Sequence, residues 1–505
     1  MRRVFNKTES VSIMYQDSTS TQINEAMQRA YAAFLEYRRK SGQEKATFIR
    51  TIADEIEALG EVVIETAMRE THLPAARLLG ERGRTCNQLR NIAEVVAEGS
   101  WLEATIDTAL PDRQPLPKPD IRNLLVPIGP VVVFGASNFP FAYSTAGVDP
   151  AAAWGAGCPV VLKAHPAHPE TSEMVAGAIL KAVEKTGMPA GVFEHIHGAD
   201  FEVGKALVMH PKTAAVGFTG SFGGGKALFD LANQRPVPIP VFAEMGSTNP
   251  VFLLPDALDK EAEKYAKMYA SSITGGMGQF CTKPGLLIGI EGASLETFSA
   301  ILAAEIRQIQ PVAMLHPGIA KAFRTKRDDV LGQENVTVEA ETVLSYGQDD
   351  GIPSVASVTA AQFVQNPALH QEVFGPFSLL IKCRDKAEMQ EIVEHLEGQL
   401  TCTVIGTEAD LSEAADLLSA ISLLCGRLLL NGVPTGVEVC AAMQHGGPFP
   451  ASTDGRFGSV GPHAIKRFVR PLAFQNFTNY LLPDELKDGN PLGIWRMVNG
   501  QLGKA

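Results

Sequence analysis

A chain of 505 residues, 45% hydrophobic and 20% charged, has the makeup of a globular protein with room for two or three cores, and disorder is not expected. Its net charge of -12 argues against a nucleic-acid partner, because phosphate contacts need clustered lysine and arginine. Seven cysteines, an odd number with no CxxC spacing, point to free thiols in a reducing compartment and so to a cytoplasmic protein.

The first residues, MRRVFNKTESVSIMYQDSTS, start basic, but no apolar block follows and no secretory signal is expected. Apolar runs such as 131–134 and 159–162 are broken by Gly, Pro or Asn long before the ~18 residues of a membrane span. Residues 20–98 carry apolar side chains at helical spacing (Ala26, Ala30, Ala33, Phe34; Ile49, Ile52, Ile56, Leu59), which predicts several helices. The stretch PDRQPLPKPD, 111–120, cannot be helical and reads as an exposed linker or arm. Beyond it, apolar β-branched runs alternate with helical patterns: IRNLLVPIGPVVVFG, an Ala-rich helix, CPVVLKA, a helix over 171–186, GVFEHIHG, a helix near 203–209, TAAVGFTG, and a helix opening at Gly225. That alternation predicts a parallel sheet in a doubly wound domain, with ligands at the carboxyl ends of its strands. It restarts at Val251 with PVFLLPDAL, a helix near 260–272 and GLLIGI, predicting a second α/β domain. The tail 464–482, AIKRFVRPLAFQNFTNYLL, reads as an extended packing arm.

Several short stretches could carry chemistry. Gly220 to Lys226 spells G-x-x-x-x-G-K of a nucleoside-triphosphate loop, but Ala227 stands where Ser or Thr would ligate Mg²⁺. In GGMGQFCTKPGLL, Cys281 sits on a permissive backbone that could present its sulfur to a cleft. In VFAEMGSTNP, Glu244 ends an apolar run, a position for a general base or for an idle turn residue. In GASNFPFAY, Asn138 could aim its amide at an oxyanion or simply form a turn. Cys158, Cys383, Cys402 and Cys425 lie in or beside apolar runs and read as small hydrophobes. The pairs His165/His168 and His195/His197 lie beside Pro or Gly in strand ends and loops, with no Cys or carboxylate expected to complete a site, so no metal site is expected. A Cys-His-Asn hydrolase would need a histidine that no segment supplies.

The segments SNFP, KAHP, FTGS, EMG, GQFCTKPG and EVFGPF, in this order across 121–377, together with GGPFPASTDGRFGSVG at 446–461, resemble the NAD(P)-dependent aldehyde dehydrogenase superfamily. KAHPAHP and RPLAFQN resemble its branch of 2-oxoglutarate semialdehyde dehydrogenases and an NADP-linked fatty aldehyde dehydrogenase. The resemblance implies an α/β fold. It comprises a modified Rossmann cofactor domain over 1–110 and 128–246, a catalytic domain over 247–445, and a β oligomerisation arm over 111–127 and 464–490. It implies Cys281 as nucleophile, Asn138 with the Cys281 N–H as oxyanion hole, and Glu244 as the base, partly desolvated so that it holds a proton near neutral pH. Cofactor contacts fall on Lys163, Gly220, Ser221, Ser137, Glu372 and Phe374, and a substrate contact on Phe139. FTGS would open a helix facing a dinucleotide's phosphates, with no need of Mg²⁺. Pro166, three residues after Lys163, replaces a glutamate of many NAD-preferring relatives, so NADP is the expected cofactor, with NAD also possible. The implied reaction is aldehyde oxidation through a cysteine thiohemiacetal and thioester, by a homodimer or homotetramer that engages neither membrane nor nucleic acid. The implied substrate is 2-oxoglutarate semialdehyde, with a medium- or long-chain aldehyde as alternative. Arg84, Arg90 and Arg456 are the cations considered for a substrate carboxylate.

Overall fold

Helical spacing in the first hundred residues folds as α1 (Ser20–Tyr37), α2 (Gly42–Glu57), α3 (Val62–Thr71) and α4 (Ala75–Glu98), in a computed structural model that describes residues 15–504. Thr19 and Ser41 start α1 and α2 with capping boxes, each side chain accepting the N3 amide while Gln22 or Glu44 reaches back. The apolar faces of α2 (Phe48, Ile49, Ile52, Ile56) and α4 (Leu78, Leu89, Ile92) enter one core with Tyr37 and Trp154.

The chain continues through β1 (Thr105–Asp107), β2 (Ile121–Pro127), β3 (Val131–Phe134), α5 (Val148–Ala156), β4 (Val160–Lys163), α6 (Pro169–Thr186), β5 (Phe193–Ile196), α7 (Phe201–Met209), β6 (Ala215–Thr219), α8 (Phe222–Asn233) and β7 (Val241–Glu244). Strands β3 to β7 form a five-stranded sheet in the order β5-β4-β3-β6-β7, every pairing parallel. β3 is buried along its whole length, which is why it reads as an unbroken apolar run. The strand order turns back between β3 and β6, so the loops after β3 (Asn138) and β6 (Ser221) open on one crevice. Helix α8 starts three residues before the expected Gly225. Ser221 caps it, its Oγ accepting from the Gly224 N–H at 3.3 Å, and glycine at 225 answers to packing: a Cβ there would stand 2.6 Å from Met245 Cγ.

The second domain runs through β8 (Val251–Leu253), α9 (Pro255–Thr274), β9 (Leu286–Ile290), α10 (Ala293–Arg307), α11 (Pro317–Leu331), β10 (Thr337–Glu341), β11 (Ser354–Thr359), α12 (Ala360–Gln365), β12 (Phe377–Cys383), α13 (Lys386–His395), β13 (Gln399–Ile405), α14 (Glu408–Ser412), α15 (Ala415–Ser422) and β14 (Cys425–Leu430). Its sheet has the order β10-β11-β12-β9-β8-β13-β14 and is parallel except where β10 meets β11.

A third sheet, β15-β2-β1-β16-β17, adds β15 (Val469–Gln475), β16 (Arg496–Val498) and β17 (Gln501–Gly503). β15 lies antiparallel to β2 from Val469 opposite Pro127 to Gln475 opposite Ile121. This sheet outruns the expected arm of 111–127 and 464–490 at both ends, taking in Thr105–Asp107 and residues as far as Gly503. The proline-rich stretch is a loop closed by the Leu110–Lys118 bridge. Just ahead of β15, Arg467 forms a buried ion pair with Asp149 of α5 at 2.6 Å, tying the tail to the first domain. Among the described residues, no helix is long and apolar enough to cross a membrane.

Candidate active site

Glu244 is the last residue of the first sheet, and the link 245–250 carries the chain from it into the second domain. Cys281 follows α9 and a tight glycine turn, Gly275–Gly278. The fold brings the two together through His445. Its Nε2 lies 3.5 Å from Cys281 Sγ and 3.0 Å from Glu244 Oε1, while Ser459 Oγ donates to Glu244 Oε2 at 2.8 Å. His445 and Glu244 are buried and Cys281 half-buried. The expectation that no histidine serves the cysteine is therefore corrected. His445 stands just before the glycine-rich segment 446–461, which lies over the end of β7: Met245 N–H donates to Ala451 O at 2.8 Å and Thr453 N–H to Ala243 O at 3.0 Å. Contact between residues 164 positions apart leaves no spacing in the sequence to read.

Desolvation, with the Glu244 carboxylate beside it, pushes the Cys281 thiol well above its ordinary range. Burial also pushes the Glu244 carboxyl up, but the opposing His445 imidazole and hydrogen bonds from His445, Ser459 and Cys281 outweigh it, and Glu244 titrates below the usual value. The glutamate is desolvated as expected, yet it does not hold a proton near neutral pH. It is an ionised carboxylate, ready to accept one.

The link 245–250 is fixed by one side chain of the second domain. Gln399 Oε1 accepts from Ser247 Oγ (2.8 Å), Thr248 N (2.8 Å), Thr248 Oγ1 (3.1 Å) and Asn249 N (3.0 Å). Asn249, buried with φ 46°, donates its amide to Cys281 O at 2.9 Å and Lys283 O at 3.0 Å. One clamp thus positions the strand end that bears Glu244 and the loop that bears Cys281. Asn138 reaches the same loop, its Nδ2 donating to Gln279 O at 3.2 Å, and among the described residues the Cys281 N–H donates to no backbone carbonyl.

Helix α4 supplies a polar stripe of which the sequence singled out Arg84 alone. Arg77 Nη2 donates to Asn138 O at 2.7 Å; Glu81 accepts from Phe141 N at 2.8 Å and Ala142 N at 3.0 Å; the Arg84 guanidinium lies over Tyr143, 5.9 Å from its centroid. The spacing of 77, 81 and 84 on one helical face among buried apolar neighbours is the signal that could have found it. Arg84 is close enough to pull the Cys281 pKa down, and its Nη2 is buried without a hydrogen-bond partner among the described residues. Arg427 on β14 also faces Cys281 and Tyr143 electrostatically. Arg90 and Arg456 are committed elsewhere, to Asp54 and Glu57 and to Asp454. Phe139 stacks edge-on against Phe280, the neighbour of Cys281, with centroids 5.7 Å apart, and Arg77 covers both rings.

The expected cofactor contacts line the crevice of the first sheet. Lys163 ends β4 and Ser137 follows β3. Gly220 donates its N–H to Glu244 O at 3.0 Å, and Ser221 opens the exposed amino end of α8. Lys226 is paired with Asp230 of its own helix at 2.7 Å, unlike a phosphate-loop lysine. Glu372 meets the link 245–250: a Cβ on Gly246 would stand 2.6 Å from Glu372 Oε2, so the carboxylate lies against bare backbone there. Phe374 is half-buried two residues on. These features suit a dinucleotide. Helix α8 offers backbone N–H groups and a positive dipole end to phosphates, and Lys163, with no ion pair among the described residues, offers a cation. Asp17 is near enough to Lys163 to feel its charge, but both Asp17 oxygens are engaged, by Ala199 N at 2.7 Å and Asp200 N at 3.0 Å.

The histidine pairs are also corrected. His195 and His197 do have a carboxylate beside them, Glu173 of α6, at 3.4 Å and 2.5 Å. His168 instead hydrogen-bonds Ala136 O at 2.8 Å and stacks on His165.

The sequence profile described as the aldehyde dehydrogenase family matches residues 2–471. Two curated relatives cover almost the whole chain. An alpha-ketoglutaric semialdehyde dehydrogenase of Acinetobacter baylyi is 48% identical over 493 residues, 97% of this chain and 93% of its own. Alpha-ketoglutaric semialdehyde dehydrogenase 2 of Azospirillum brasilense is 48% identical over 479 residues, 95% and 91% of the two chains. Among solved structures, a 3,6-anhydro-L-galactose dehydrogenase in complex with NAP aligns at TM-score 0.77 and 22% identity, covering 91% of this chain and 92% of that one. A 1-pyrroline-5-carboxylate dehydrogenase aligns at TM-score 0.76 and 19% identity over 91% and 86%. These two share the fold.

Proposed function

The chain belongs to the aldehyde dehydrogenase family, and we propose that the aldehyde it oxidises is 2-oxoglutarate semialdehyde, converted to 2-oxoglutarate with NADP⁺. The observation that carries the mechanism is the meeting of Cys281, His445 and Glu244 at one imidazole nitrogen.

In this reading the Cys281 thiol loses its proton to solvent, and the His445 Nε2–H that donates to Glu244 also faces the thiolate, offsetting the desolvation that otherwise keeps the thiol protonated. The sulfur attacks the aldehyde carbon, forming the C–S bond of a thiohemiacetal. The Cys281 N–H and the second hydrogen of the Asn138 amide hold the oxygen as charge develops on it. Lys163, the amino end of α8, Ser137, Glu372 and Phe374 would hold the nicotinamide dinucleotide, which when bound would supply the hydride acceptor. Cys281 is then acylated. Glu244, ionised, takes a proton from water; the resulting hydroxide attacks the thioester, the C–S bond breaks, and the acid leaves with the thiolate restored. The same Cys-His-carboxylate set would suit a thiol hydrolase, but the crevice built for a dinucleotide and the family membership favour oxidation.

Arg84 supports the acidic substrate. It presents a buried, unpartnered Nη2 near Cys281, where a substrate carboxylate could pair with it, and both relatives are named for this semialdehyde. NADP⁺ is favoured because no carboxylate follows Lys163 at 166 to grip a ribose hydroxyl. We place the enzyme in the cytoplasm on its seven unpaired cysteines. We also read it as a homodimer or a tetramer of dimers. Leu428 and Leu430 are exposed on the edge strand β14, and Tyr480 and Leu481 on the arm, as faces that a second copy would cover.

The test follows reduced-cofactor absorbance with the semialdehyde, pentanal and hexanal, each with NADP⁺ and NAD⁺. The semialdehyde with NADP⁺ is expected to give the highest kcat/KM. Hexanal outranking it would replace the substrate with an apolar aldehyde, and a strong preference for NAD⁺ would overturn the cofactor assignment.

A further inference from the structure

We propose that Cys281, His445 and Glu244 together form a reversible inhibitory site for zinc, with Cys281 Sγ, His445 Nε2 and Glu244 Oε1 as its protein ligands. The three donor atoms lie within 4.8 Å of one another. A tetrahedral zinc ion, bonded at about 2.3 Å to sulfur and about 2.0–2.1 Å to nitrogen, holds those two atoms about 3.6 Å apart. Cys281 Sγ and His445 Nε2 stand 3.5 Å apart before any ion enters. Nitrogen and carboxylate oxygen on such an ion are about 3.4 Å apart, so the 3.0 Å contact of His445 with Glu244 has only to open slightly.

The donor chemistry agrees with the geometry. Thiolate, imidazole and carboxylate are the three ligand types zinc takes, and three protein ligands leave a fourth position for water, as in open zinc sites. On binding, the Cys281 proton goes to solvent, the His445 Nε2 proton leaves so that the ring carries its hydrogen on Nδ1, the sulfur and Nε2 lone pairs form the metal bonds, and thiolate and carboxylate neutralise the dication. Ser459 already holds Glu244 Oε2, leaving Oε1 aimed at the centre, and Asn249 holds the Cys281 carbonyl. Arg84 and Arg427 oppose the cation, and Glu372 favours it. Binding itself does not depend on the aldehyde reaction. The inhibition does rest on the reading above, since the ion would occupy both its nucleophile and its base.

A second trio, Glu173, His195 and His197, also lies within 4.8 Å, on the first domain beside Lys163. It contains no sulfur, so thiolate spectroscopy separates the two sites.

The experiment titrates Co²⁺ into the purified, chelator-free enzyme and reads the thiolate-to-cobalt charge-transfer band in the near ultraviolet. The band is expected in the wild type, absent in Cys281→Ser, and shifted to higher cobalt by about tenfold or more in His445→Gln, the loss that even an outer partner of a zinc ligand imposes. Zn²⁺ should bleach the band, slow iodoacetamide labelling of Cys281 and stop turnover, and chelator should reverse all three. Absence of the band in folded enzyme that turns over aldehyde overturns the proposal, as does a band that survives in Cys281→Ser through the exposed Cys440. A band with unaltered turnover under Zn²⁺ overturns the inhibition. Failure of metal-free enzyme to oxidise any aldehyde speaks instead against the catalytic reading, whatever cobalt does.

Discussion

Arg84→Met isolates the contact to the substrate's own carboxylate. Methionine keeps much of the length that lies over Tyr143 but removes the unpartnered Nη2. A hydrogen bond to a charged group contributes about 1.5–3 kcal/mol, which at about 1.4 kcal/mol per decade is about 10–150-fold in kcat/KM for the semialdehyde. The arginine also lowers the Cys281 pKa, so its loss weakens the nucleophile toward every aldehyde. Discrimination, not rate, is therefore the readout: kcat/KM for the semialdehyde divided by kcat/KM for pentanal, which has the same chain length and no carboxylate. The ratio should fall by the factor above, with KM carrying much of the change. A ratio that holds within about threefold while both rates drop together would mean that Arg84 tunes the thiol only, and that the carboxylate, if recognised at all, meets another cation such as Arg427.

Cys281→Ala should abolish oxidation with either cofactor while cofactor binding by fluorescence stays intact, and appreciable turnover would remove Cys281 from the mechanism. Glu244→Gln should release about one equivalent of reduced cofactor per site and then stall, since only deacylation needs the activated water; unchanged steady-state turnover would count against it. Because Glu244 titrates below the ordinary glutamate value, deacylation in the wild type should not decline with acid until below about pH 4.3. Iodoacetamide inactivation of the free enzyme should be slow at neutral pH and climb past the ordinary thiol value of about 8.5, because the Cys281 pKa is raised; a rate already level at neutral pH would contradict this. Leu428→Glu with Leu430→Glu should yield a smaller species by light scattering, and an unaltered mass would place the subunit contact away from β14.

The alternating organisation was legible because buried parallel strands write themselves as short apolar runs between helical patterns, as in Val131–Phe134 and Val160–Lys163. Helix starts were less so. The run Phe222–Gly225 hides the first turn of α8, since glycine carries little helical signal and only the Ser221 cap marks it. Cys281 and Glu244 stood out through their glycine-rich surroundings and their place after apolar runs. His445 did not, because its role depends on the fold of 446–461 over β7 and on no local pattern. The carboxylate of Glu173 was missed for the same reason, as it arrives beside His197 from another element. The sign of the Glu244 shift was out of reach too: burial is readable from an apolar run, but the Ser459 and His445 partners that outweigh it are not.

The Gln399 clamp has a consequence for anyone exchanging halves between related chains. A junction cut after residue 250 would join the Ser-Thr-Asn turn of one parent to a glutamine that evolved with a different one. Four acceptances at a single oxygen would have to be rebuilt, and with them the spacing between thiol and base. A crossover after residue 246 would instead keep the turn and Gln399 together as one inherited pair, with Glu244 arriving from the other parent.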